Sequence, residues 1–477
     1  MLDLVNMING ILWGNLLIYL LLGTGIYFTI RLGFIQFRHF GHTFSVLKHS
    51  RKGSSHGISS FQALCTSLAA RVGTGNLAGV ATAIIAGGPG AVFWMWLIAL
   101  IGMATSFAES TLAQLYKVED DQGLYRGGPA YYMEAGLGKR WMGVLFAIAL
   151  ILCFGLVFNA VQAHEISKAM EQAFDIPRIA SGGVMVVLAG LIVFGGIRTI
   201  ARFAEVVVPF MALAYIVISF GVVVINIDEM PRVLTTIVKS AFGWQEAGAG
   251  ALGYTVMAAM MNGIKRGLFS NEAGMGSAPN AAASAEPYPP HPASQGYVQM
   301  LGVFVDTLVI CTATAAVILI ADATPGANDS GVQITQLALS SLVGSWGGAF
   351  VAIALLFFAF TSIVANYAYA ESNLVFLEHK HLAGLAIFRL FVLGMVVFGA
   401  LAQSDLIWSL ADTSMGFMAI INLIAILLLS NVVVTLARDY HQQQKAGKVP
   451  KFDRKKYPEL DKKIAPGIWE NNDKTND

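Results

Sequence analysis

The chain has 477 residues, of which 56% are hydrophobic and only 12% charged, with a formal net charge of +1 and a mean hydropathy of +0.64. A soluble domain carries roughly 25% charged residues, so these numbers exclude a water-soluble enzyme or binding module and point to an all-α polytopic membrane protein. No nucleic-acid partner is expected.

The N-terminal run MLDLVNMINGILWGNLLIYLLLGTGIYFTI has no Lys or Arg ahead of its apolar stretch. It is long enough to stay as a span rather than be cleaved as a signal. Eleven spans are expected, at 11–31, 60–85, 90–116, 143–170, 181–198, 204–226 (opening near Pro209), 248–268, 297–321, 347–377, 383–402 and 406–436. With the N-terminus outside, the cytoplasmic connections and tail hold most of the basic residues. Among these are Arg31, Arg38, Arg51, Lys52, Lys139, Arg140, Lys265, Arg266, Lys380 and the series from Arg438 onward. The opposite loops hold only Lys168, Arg178, Arg232 and Lys239. That asymmetry predicts N-terminus out and C-terminus in, in what is expected to be a bacterial cytoplasmic (inner) membrane. The polar tail after the last span reads as solvated, with its basic part near lipid headgroups. Cys65, Cys153 and Cys311 lie in apolar segments and read as small packing residues.

The second span is peculiar. In SLAARVGTGNLAGVATAI (67–84), Gly73, Thr74, Gly75 and Asn76 interrupt a helix at the depth where regularity matters most. Irregular backbone inside a bilayer is tolerated only where protein buries it or a cavity needs it. Secondary transporters use such breaks to present N–H groups to anionic substrate groups and carbonyls to cations. If the first span is peripheral, ten remain as five plus five. The first of the second five, 253–279, contains Asn262, Gly263 and Gly267, and a matching break is expected around Met261–Gly263. Single glycines in membrane helices are more often packing devices; a recurrence at corresponding places favours a transporter.

SFQALCTSLAARVGTGNLAGVATAIIAGGPGAVFWMW (60–96), GIKRGLFSNEAGMGSAPNAAA (263–283) and YRGGPAYYM (125–133) resemble signature segments of the alanine or glycine:cation symporter family, and the similarity runs along nearly the whole chain. The resemblance implies a leucine-transporter-like fold: a peripheral N-terminal helix and loop (1–58), a first inverted repeat (59–228), a second (229–437) and a cytoplasmic tail (438–477). It also implies sodium-driven uptake of a small neutral amino acid such as alanine or glycine, with no cofactor beyond the co-transported sodium ion.

Roles follow from that expectation. Thr74, Gly75 and Asn76 are candidates for the substrate carboxylate, through N–H groups where the helix restarts. Carbonyls around Met261, Asn262 and Gly263 are candidates for its ammonium. Asn159 and Gln162, three apart on one helical face, are candidates for substrate contact or for interhelical hydrogen bonding. The family pattern implies a sodium site of Thr361, Ser362 and the carbonyls of Phe358, Ala69 and Val72. Ionisable groups at depth are functional candidates. Asp306 suits a second cation site or a proton, and Asp412 an outer gate. Glu109 and Glu371 lie nearer helix ends, and Arg71 is expected to pair with one of these carboxylates. Phe158, Phe358, Phe360 and Trp408 would restrict the pocket to small side chains. Rings of like charge for a channel and a catalytic constellation for a membrane enzyme are not seen; His164, His291, His379 and His381 are scattered. Sodium against proton coupling, the choice among alanine, glycine and serine, and the oligomeric state stay open at this stage.

Overall fold

The computed structural model describes residues 2–49, 57–194, 196–244, 252–322, 331–377 and 382–470. Arg51, Lys52, His379, Lys380, His381 and the start of the expected span 248–268 lie outside them. Among the described residues, eight helices are long and apolar enough to cross a membrane, and a ninth forms if the bent pair Ser60–Arg71 and Gly75–Gly87 counts as one span. The other two expected spans coincide with shorter or more polar helices, Arg178–Val193 and Leu252–Asn271. Pro209 sits inside the helix Gly196–Ile225 rather than at its start. The last span ends at Leu428 instead of 436; the chain turns at Leu429 into a separate helix, Ser430–Lys445.

Burial sorts the helices into centre and rim. Ala91–Leu115 packs against Leu252–Asn271 and Ala293–Val303, and Trp346–Leu377 packs against the helix that begins at Phe158. The first span, Leu2–Arg31, leans on Ser404–Leu428 and Ala91–Leu115 and leaves Leu4, Met7, Tyr19, Ile26 and Ile30 exposed. Gly196–Ile225 exposes Val206, Phe210, Leu213, Val217 and Phe220 on one side. Such apolar stripes suit lipid, where they need no partner.

Both broken helices have definable ends. The first begins at a capping box in which Ser59 and Gln62 bond each other's backbone N–H, satisfying two donors that a helix start leaves free. It stops at Val72, whose φ of −78° and ψ of 91° are extended, and the following helix leaves at 51°. The second break is not where the sequence suggested. Leu252–Asn271 runs without interruption through Met261, Asn262 and Gly263. Asn262 Nδ2 donates to the Ala258 carbonyl of its own helix at 2.9 Å and to Ala86 O at 3.2 Å. A Cβ on Gly263 would run into the Ala91 carbonyl and Trp94. The pair is a helix-contact device, so its carbonyls stay in helical hydrogen bonds and are not available to an ammonium group. The chain unwinds ten residues later, at Glu272 (φ 59°), Gly274 (φ 91°) and Gly276 (φ 84°), before Ala278–Ala283 resumes the helix. Lys265 and Arg266 therefore lie within a helix, not in the cytoplasmic loop expected from their charge. A short parallel pairing, Ile58 with Ala285 and Ser59 with Glu286, ties the start of the first broken helix to the end of the second.

The tail is not a free polar segment. Phe452 N donates to Pro290 O at 3.0 Å, Trp469 Nε1 to Gln114 O at 3.2 Å and Lys463 Nζ to Gly136 O at 2.8 Å. His291 and Lys456 both bond the buried Asp439 carboxylate. The stretch through residue 470 thus straps one face of the helical body.

A Gly263→Val substitution must push apart the helices that meet there, at a cost of about 1–3 kcal/mol for overpacking. It is expected to lower the melting temperature of the detergent-solubilised protein. Gly10→Val, where nothing lies within 4 Å of a new Cβ, is expected to leave melting unchanged.

Candidate functional site

The first break brings five oxygen-bearing groups from two helices together. Ser362 Oγ lies 2.8 Å from Ala69 O, 3.0 Å from Phe358 O and 3.4 Å from Val72 O. Thr361 Oγ1 is 2.8 Å from Phe358 O. All five residues are at most 1% exposed. The Ala69 and Val72 carbonyls are available because the helix ends at Val72; the last four carbonyls of a helix have no partner within it. Gly73 passes so close that a Cβ there would sit 2.5 Å from Ser362 Oγ and 2.9 Å from Gln162 Oε1. Only glycine fits.

On the other side of the break the protein occupies its own donors. Gly73 N donates to Asn76 Oδ1 at 2.8 Å, and Thr74 N donates to Gln162 Oε1 at 3.0 Å. Asn76 Nδ2 reaches Asp306 Oδ1 at 2.7 Å and Ser270 Oγ at 3.1 Å. The second Asp306 oxygen accepts from Ser270 at 2.7 Å and Thr307 at 2.8 Å. Asp306 lies in a wide π-helical turn, Phe304–Cys311, a local widening that often marks functional positions. Gly75 packs against Phe269 and Ser270 of the second broken helix. The Thr74 hydroxyl is buried without a protein partner. Asn159 points elsewhere: its Nδ2 bonds Gly155 O and its Oδ1 accepts from Asn366, the interhelical role.

The second break is held from outside itself. Glu109 accepts from Gly274 N at 3.2 Å and from Asn422 Nδ2 at 2.8 Å, and Asn422 also donates to Gly274 O at 2.9 Å. Ser277 Oγ bonds Glu272. Among the described residues, Arg71, 1% exposed, does not form the expected ion pair. It donates to Gln299 O at 3.1 Å and Ser106 Oγ at 3.4 Å. Glu109, Glu272 and Asp306 are near it, but among the described residues none of them bonds it. Glu371, a further candidate partner, pairs with Arg126 at 3.0 Å.

One side of the two breaks is closed. Phe269 lies between Phe158 and Trp408, with ring centroids 4.6 and 5.0 Å away. Above this stack, Arg266 makes a two-pronged bond to Asp412 at 2.9 and 3.0 Å, and its guanidinium lies over the Trp408 ring at 4.5 Å. Lys265 Nζ is 3.3 Å from the same carboxylate. Trp408 Nε1 donates to Glu165 at 3.0 Å, and Glu165 also accepts from Val332 N at 3.2 Å. Phe360 packs on Phe203, away from this stack.

Ser270, Glu272, Phe269 and Glu165 escaped the sequence reading. A signal for the first two was present: Gly274-Met275-Gly276 repeats the Gly-x-Gly of Gly73-Thr74-Gly75, and Asn271 and Ser277 flank it. The earlier Asn262-Gly263 pair masked it. Phe269 and Glu165 carry no comparable sequence mark.

The model of the family described as "Sodium:alanine symporter family" matches residues 1–454. A "probable sodium/glutamine symporter" of Bacillus subtilis is 53% identical over 452 residues, covering 94% of this chain and 92% of its own length. An "amino-acid carrier protein" of the same organism is 49% identical, covering 96% of each chain. A "sodium/alanine symporter" of Methanococcus maripaludis is 41% identical, covering 93% of this chain and 98% of its own. With a family match over nearly its whole length and relatives this similar from end to end, the chain belongs to the sodium:alanine symporter family.

Proposed function

We propose that this integral membrane protein takes up a small neutral amino acid, alanine or glycine, together with sodium, by alternating access. Sodium-coupled amino-acid symport is the activity of the family; the substrate, the direction and the residues are our reading. The observation that carries it is the meeting of Ser362 Oγ with Ala69 O and Val72 O at the first break. Sodium is a hard cation that favours neutral oxygens. Val72 O, Ala69 O, Phe358 O, Thr361 Oγ1 and Ser362 Oγ supply five of them, out of water and from two helices that can part. Two helices unwound at depth and joined by a strand pair agree with a leucine-transporter-like arrangement of repeats over 59–228 and 229–437, with the first helix peripheral. The N-terminus is then outside, the tail cytoplasmic, and the bilayer a bacterial inner membrane.

In this reading Gln162 holds the place of the substrate. A carboxylate arriving at the restart of the helix displaces Gln162 Oε1 from Thr74 N–H and takes the free Thr74 hydroxyl and the Gly75 end of the turn. The ammonium faces carbonyls of the second break, around Asn271–Gly274. Asp306, linked to the site through Asn76, is a second cation position or a proton carrier. The Phe158–Phe269–Trp408 stack and the Arg266–Asp412 pair form the outer gate. Bulk near the substrate discriminates weakly, at ~1–3 kcal/mol per methylene, so serine is carried too.

In proteoliposomes loaded with a sodium gradient, labelled alanine uptake is expected to be competed by glycine and serine and abolished without sodium. Ser362→Ala and Thr361→Ala each remove one ligand. At ~1.5–3 kcal/mol for a bond to a charged group, each is expected to raise the sodium concentration for half-maximal uptake about tenfold or more; unchanged sodium dependence removes the cation assignment. Phe269→Ala is expected to admit glutamine as a competitor that the parent protein excludes. Glutamine competing equally well against the parent protein would mean that the aromatic stack does not set the size limit.

A further inference from the structure

Away from the transport site, the chain forms a cationic cleft where the first span ends. Its walls are Arg38 and His39, just beyond that span, and Arg438, His441 and Lys445 on the helix Ser430–Lys445, with Leu32 at its base. The cleft encloses about 260 Å³, several times the roughly 30 Å³ that one water occupies in the liquid.

Its frame is rigid. His39 and His441 stack, with centroids 4.2 Å apart and planes 14° from parallel. Tyr297 bonds His441 from behind. His42 bonds Tyr440 at 2.9 Å and Gln444 at 3.0 Å. The cations are not spent within the protein. The Arg38 side chain bonds, among the described residues, the Gly33 carbonyl alone, at 3.3 Å. Among the described residues, none of Arg38, Arg438 and Lys445 has an acidic partner. Asp439, next in sequence to Arg438, faces the other way, towards His291 and Lys456. Burial and then the nearby histidines, Arg38 and Lys445 push His441 down to about 4. Burial, and then Arg38 and Lys445, lower His39 as well, so both rings favour the neutral form.

Within a few residues of Arg38 and His39 along the chain, three aromatic side chains are exposed: Phe34, Phe37 and Phe44, at 50%, 57% and 52%. They flank the end of a membrane span, at the level where a bilayer passes from hydrocarbon to headgroup. Three uncompensated cations, with exposed aromatic side chains close by in the chain, match a ligand with a phosphate at one end and hydrocarbon at the other.

We propose that this cleft binds the phosphate of an anionic phospholipid headgroup, with the acyl chains lying along Phe34, Phe37 and Phe44. The site is independent of the transport reading, since it shares no residue with the two breaks.

The test is native mass spectrometry of the full chain in mild detergent, with added phosphatidylglycerol, phosphatidylcholine or inorganic phosphate. Phosphatidylglycerol is expected to be retained and phosphatidylcholine lost. Inorganic phosphate in large excess is expected not to displace the lipid, because it lacks the apolar contacts. Arg438→Gln with Lys445→Gln removes two cations worth roughly 1 kcal/mol each beside a charged surface, so retention is expected to fall about thirtyfold. Lys455→Gln with Lys462→Gln, remote from the cleft, is expected to change nothing. Sodium-dependent uptake by each variant reports that it is folded. Arg38→Gln, on the opposite wall, is the alternative variant should the double substitution fail to fold. Equal retention by parent and cleft variants, or equal retention of the two lipids, overturns the proposal. Displacement by inorganic phosphate overturns it too, in favour of a site for free anions.

Discussion

Hydrocarbon offers no hydrogen bonds, so every peptide group that leaves a helix inside the bilayer must be met by another part of the protein. The centre of this fold answers that requirement twice. At the first break, Ser362 lies at the released carbonyls of Ala69 and Val72, and Asn76 and Gln162 take the released N–H groups of Gly73 and Thr74. At the second, Glu109 and Asn422 hold both sides of Gly274. Asn76 apart, the partners come from helices distant in sequence, so most of what satisfies each break is in place only once the bundle has assembled. The same bonds that make unwinding tolerable gather buried polar atoms around the breaks, as a carrier of amino acids and cations requires.

Buried charge follows the same logic. Arg71 sits among Glu109, Glu272 and Asp306 without closing on any of them, bonded instead to neutral oxygens of Gln299 and Ser106. Each carboxylate is bonded by neutral donors: a backbone N–H and Asn422 for Glu109, Ser277 for Glu272, and Asn76, Ser270 and Thr307 for Asp306. A direct ion pair locks its members together, and parting one buried pair costs about 3–5 kcal/mol. A dispersed arrangement sets no such lock between Arg71 and these carboxylates. Direct pairs do occur elsewhere, between Arg266 and Asp412 beside the aromatic stack and between Arg126 and Glu371.

Much of this was legible in the residues. The run Gly73-Thr74-Gly75-Asn76 betrayed the first break because two glycines and two polar side chains in four residues have no use in a regular membrane helix. Thr361 and Ser362 stood out through the family resemblance; the structure sets the Ser362 hydroxyl beside the carbonyls of Phe358, Ala69 and Val72, and that of Thr361 beside Phe358 O of its own helix. The second break was misplaced because glycine in a helix has two uses, unwinding and close approach. Gly263 serves the second, against Ala91 and Trp94, and its own neighbours along the chain do not say so. Lys265 and Arg266 were misread for a related reason: charge alone suggests a loop, whereas here it is met by Asp412, nearly 150 positions away.

By itself, then, the order of apolar and polar residues determined that the chain lives in a bilayer, roughly where it crosses, that one span is interrupted, and which family it resembles. These are properties of segments about twenty residues long, and hydrocarbon tests each segment separately. Which interruption unwinds, which carboxylate meets which donor, and that the tail folds back to strap one face were decided only by the tertiary structure. Those outcomes depend on pairs of groups far apart in the chain, and their energies exist only once the helices have packed.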